Sequence, residues 1–153
     1  MRIGARRLIL AALAALMATL ILIVSLWLHV LTGFGAALMG QPQALDPAHA
    51  HSALSVLAVV TRAALPFALP MAVLYALSGP WPIRLIVLLV FAGGWYWAAD
   101  RTAGAFAADV GATWLAGEPF GALFFDLLLT PLFLITALAL QVPLLKWMNR
   151  AAT

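Results

Sequence analysis

Two ionisable residues, Arg62 and Asp126, fall inside long apolar runs, and their chemistry sets the first question. A charged group in a membrane span is expensive and usually finds a partner. Arg62 lies about nine residues into one run and Asp126 about six into another, depths of roughly 14 and 9 Å at 1.5 Å per residue. An ion pair between them, within the chain or across subunits, is therefore expected. Its bland role is fixing helix register; its functional role is a proton or cation site. Thr130, one helical turn after Asp126, can hydrogen-bond that carboxylate, and Ala137 and Gln141 continue a narrow face of small and polar residues. Such a face is a packing seam more often than a water path.

Three histidines form the second constellation. His49 and His51 stand in the stretch PAHAHS, and His29 ends an apolar run, so all three fall at one membrane level. Imidazole is the commonest metal ligand, and a haem- or metal-binding redox anchor is the chemistry this would serve. Interfacial histidines bonding water and headgroups are the simpler expectation, so no metal and no cofactor is expected. Enzyme templates fail: the sequence contains no H-E-x-x-H, no G-x-S-x-G, no phosphate-cradling glycine loop and no cysteine. A non-enzyme is expected.

The elements that position these residues follow from composition. Of 153 residues, 66% are hydrophobic and only 8% charged, against about 25% charged in soluble domains. Lipid or protein must cover most of the surface. The apolar runs predict an all-α polytopic membrane protein with four transmembrane helices, at about 8–31, 53–77, 83–99 and 120–145, in a single domain over 1–153. The first run is too long for the apolar core of a signal peptide and reads as a retained anchor. Pro66 and Pro70 should distort the second. The cluster Trp95-Tyr96-Trp97 should mark a membrane boundary, and the six tryptophans together read as interfacial anchors. Phe106, Val110 and Trp114 recur every four residues, which predicts a short amphipathic helix in the third connection.

Basic residues set the orientation. Four crossings place Arg2, Arg6, Arg7, Arg84, Lys146 and Arg150 on one side and Arg101 on the other. The basic side is cytoplasmic, so both termini are expected there. Asp46, Asp100, Asp109 and Glu118 then fall outside. The basic residues are too scattered for a nucleic-acid partner. Seven of the eight basic residues are Arg, and Ala and Leu are abundant, which suits a GC-rich bacterial genome and hence a bacterial inner membrane. Ala11, Ala15 and Ala18, with Ala14, should form a close helix contact, and Gly93 and Gly94 a notch in the third span. The leading expectation is a non-catalytic subunit that stabilises or recruits partners in a larger inner-membrane complex for transport, secretion or energy conversion, contacting membrane lipids and other membrane subunits. Its rivals are a small transporter or ion-conducting oligomer using Asp126 and Arg62, and the redox anchor using His29, His49 and His51.

Overall fold

Every buried stripe in the chain repeats at three- or four-residue spacing, and the result is a bundle of helices. The computed structural model describes residues 4–40, 52–109 and 115–151, with side chains over 4–32, 52–108 and 115–150. Its elements in order are α1 (Ala5–Gly40), α2 (Ala53–Ala64), a 3-10 turn (Leu65–Phe67), α3 (Ala68–Leu77), α4 (Trp81–Asp109), α5 (Glu118–Phe124) and α6 (Leu129–Ala151). Among the described residues four segments are long and apolar enough to cross a membrane: Ala5–Thr32, Ala53–Leu77, Trp81–Ala108 and Leu129–Arg150. The protein is an all-α polytopic membrane protein.

α1 is the hub, packing against α2, α3, α4, α5 and α6. Ala11, Ala14, Ala15 and Ala18 are buried along one face, followed by Leu22, Leu26 and Val30. The alanines let neighbouring backbones approach, since van der Waals packing is what holds helices together in lipid. Ser52 caps α2, its hydroxyl oxygen accepting the Ser55 N–H at 3.1 Å, which satisfies one of the helix's free donors.

Pro66 explains the break between α2 and α3. It has no N–H for the carbonyl of Arg62, so the backbone tightens into the 3-10 turn and resumes as α3. Here a Cβ on Gly94 of α4 would overlap the Phe67 ring and force it to shift, whereas one on Gly93 would meet nothing. Of the two glycines expected to form a notch, only Gly94 forms it. The turn from α3 to α4 is tied by Arg84, whose guanidinium donates to the carbonyls of Ser78 and Gly79 at 3.4 and 2.9 Å.

Two boundaries differ from expectation. Buried Phe91, Trp95, Ala98, Ala99, Thr102, Ala103 and Phe106 run without interruption, so α4 continues past Asp100 and Arg101, which sit on its outer side. Phe106 thus belongs to the third span. Val110 and Trp114 lie outside the described residues. The third connection does carry a short helix, but it is α5, later than the four-residue spacing suggested. The fourth span correspondingly begins at Leu129 rather than Phe120.

Candidate functional site

The buried side chains that bond across helices gather at two levels. At the first, three helices meet around His29, which is wholly buried. Its ring packs against Phe124, Phe133 and Trp95 at centroid distances of 5.1, 5.5 and 5.9 Å. His29 Nε2 lies 3.1 Å from the Thr130 hydroxyl oxygen. That hydroxyl has one proton, and it goes to the carbonyl of Phe124. It also accepts the backbone N–H of Asp126 at 3.1 Å. The network therefore assigns the donor role to Nε2–H of His29. Nδ1 is left buried without a hydrogen-bond partner.

Trp95 closes the same centre. It is fully buried, and its indole N–H donates to Ser25 Oγ at 3.0 Å. The expectation that it anchors the chain at a membrane boundary is wrong for this tryptophan. Buried indoles require an acceptor, and Ser25, four residues before His29 on the same face of α1, supplies one. Trp27, Trp81, Trp97 and Trp147 keep surface exposure, and Trp114 lies outside the described residues.

At the second level Tyr75 of α3 donates to Gln141 Oε1 of α6 at 2.5 Å, both side chains fully buried. Gln141 Nε2 has no partner. Thr130, Ala137 and Gln141 thus lie on the inward face of α6, as their spacing suggested, and the two polar ones each join another helix.

The structure does not bring Arg62 to Asp126. Asp126 stands in the turn before α6, where Oδ1 accepts the backbone N–H groups of Leu129 and Leu128 at 2.7 and 2.8 Å. These two donors hold its carboxyl below the usual carboxylate range. Thr130 reaches the backbone of Asp126, not its carboxylate. Pro131 falls in the first turn of α6, where its missing N–H is harmless. An Asp just ahead of an apolar run was the available signal of a helix start; read as a span residue, the aspartate looked like a buried charge. Arg62 faces α4 instead, sharing a concave pocket with Trp97 and Arg101.

His49 and His51 lie outside the described residues. Among the described residues no group of three His, Cys, Asp or Glu side chains converges as a metal site.

Comparison with family models, with curated proteins and with solved structures finds no match.

What the geometry can do chemically follows from its pairing. His29, Thr130, Ser25, Trp95, Tyr75 and Gln141 bond to one another across helices, so most of their capacity is committed to holding α1, α3, α4 and α6 together. Such interhelical bonds contribute on average about 0.6 kcal/mol each in membrane proteins.

Proposed function

We propose that the chain is a non-catalytic subunit of a larger inner-membrane assembly, stabilising or recruiting partners through its apolar faces. The observation that carries this reading is the turn between α5 and α6. Phe125, Leu127 and Leu128 there are 72%, 87% and 74% exposed, on backbone that is not helical. Hydrocarbon does not tolerate lipid-facing irregular backbone, and water disfavours three large apolar side chains together. A partner protein covers both.

The inward commitment of the polar residues agrees with this role. The transporter alternative finds less support, because Asp126 is engaged by the backbone of its own helix and is not aimed along a path through the bundle. In the proposed topology both termini are cytoplasmic, since the basic residues favour that side, and the α5–α6 turn faces out.

The absence of cysteine makes the test clean. Leu127→Cys, carrying a short photo-cross-linker in intact cells, should join a specific second protein. The same band should be retained after gentle detergent extraction, where mass measurement should exceed that of a single chain. A single-chain mass with no cross-linked product overturns the reading.

A further inference from the structure

Arg62, Trp97 and Arg101 converge on one pocket of ≈ 350 Å³ between α2 and α4, floored by Val59, Ala63 and Pro66. Arg101 is held over the Trp97 ring, 5.1 Å from guanidinium carbon to ring centroid, a cation–π contact that fixes the side chain. Among the described residues no carboxylate pairs with either arginine. Asp100, the nearest acid in sequence, lines a different concavity with Gly104 and Pro119. The side chain of Asp109 is not described; its backbone lies eight residues further along α4.

The level of this pocket follows from α4. Trp81 opens that helix and Arg101 comes twenty residues later, roughly 30 Å at 1.5 Å per residue, the thickness of the hydrocarbon core. With exposed Trp81 near one boundary, Arg101 lies towards the other end of the Trp81–Ala108 span. Arg62, nine residues into the Ala53–Leu77 span, lines the same pocket. Two guanidinium groups thus line one concavity, with Val59, Ala63 and Pro66 as its apolar lining.

We propose that this pocket binds a phosphate-bearing anion, and that the phosphodiester of an anionic phospholipid fits it best. Two arginines can each offer paired N–H donors to phosphate oxygens. One bridging phosphate would neutralise both cations at once. Val59, Ala63 and Pro66 then receive the upper part of an acyl chain. The volume is at the lower end for small-molecule sites and admits a headgroup and glycerol rather than a whole lipid. An anion held there neither needs nor excludes a partner protein.

The test uses the full chain in nanodiscs and in a zwitterionic detergent. Native mass spectrometry with equimolar phosphatidylglycerol and phosphatidylcholine should show retention of the anionic lipid, with about a tenfold preference, weakened at high salt. R62Q/R101Q should abolish the preference, and R84Q at the opposite end should leave it intact. Displacement by millimolar inorganic phosphate would also support the site and assign its source to the free anion. Equal retention of the two lipids by the unaltered protein, with no effect of phosphate or salt, overturns the proposal without relying on any variant's folding.

Discussion

His29 Nε2 and the Thr130 hydroxyl, 101 residues apart in sequence, lie 3.1 Å from each other in a wholly buried contact. Because the Thr130 proton is given to Phe124, the imidazole is the donor. One hydroxyl therefore ties α1, the end of α5 and the start of α6. Thr130→Val removes all three bonds and leaves His29 Nε2–H stranded, an effect of about 1–3 kcal/mol. Thr130→Ser should be milder. His29→Leu combined with Thr130→Val should cost less than the sum of the two, since the imidazole N–H is then no longer left without its acceptor. Thermal unfolding in detergent measures all four.

Asp126 is predicted to act as a helix cap. Asp126→Asn keeps an oxygen for the N–H groups of Leu128 and Leu129, and Asn caps as well as Asp. It should leave the melting temperature nearly unchanged, while Asp126→Ala lowers it by a few degrees. The pH dependence has a definite sign. A carboxyl held below its ordinary range in the folded state contributes stability fully above its unfolded pKa, about 3.9, and loses it as pH falls through the lower folded value. Titration of the melting temperature below pH 5 should show this slope in the unaltered protein and a shallower one in Asp126→Asn. An equal slope in both would remove Asp126 as its source.

Tyr75 and Gln141 make a second interhelical test. Tyr75→Phe leaves the Gln141 amide buried with neither end bonded, and should destabilise by about 1–3 kcal/mol. Adding Gln141→Leu should recover most of that loss, because an apolar pair of similar size needs no hydrogen bond. Chemical denaturation of the single and double variants decides it.

Gly94 and Gly93 should behave oppositely. Gly94→Ala forces a Cβ into the Phe67 ring, and overpacking of this kind costs about 1–3 kcal/mol. Phe67→Ala in the same chain should relieve it. Gly93→Ala meets nothing and should be neutral or slightly stabilising, since alanine favours helix. Comparable losses at both positions would contradict the packing described.

The four spans were legible because composition and run length alone decide them: a stretch such as Leu8–Leu31 has no other solvent but lipid. The alanine seam of α1 and the Thr130–Gln141 face were legible from their helical spacing. The partnerships were not. Trp95 and Trp97 are two residues apart in one aromatic cluster, yet one is core and the other faces the pocket beside Arg101; only the rotation of α4 against Ser25 separates them. Asp126 looked like a buried charge because its neighbours are apolar, and its service to Leu128 and Leu129 depends on where α6 starts. Spacing grouped His29 with His49 and His51, which lie outside the described residues, whereas its partner Thr130 belongs to a different span. Arg62 and Arg101 carry no pattern in the sequence that joins them.

The separation between His29 and Thr130 also bears on how the protein is made. At synthesis rates of about 5–20 residues per second, the first span waits roughly 5–20 s before the last one emerges. Throughout that interval the imidazole of His29 has no hydroxyl to bond and lies on a helix already committed to the bilayer. The nascent chain must be sheltered during this delay by the insertion machinery or by water at the membrane boundary. A ribosome stalled before Leu129 would hold a bundle with its hub in place and its closing strut missing.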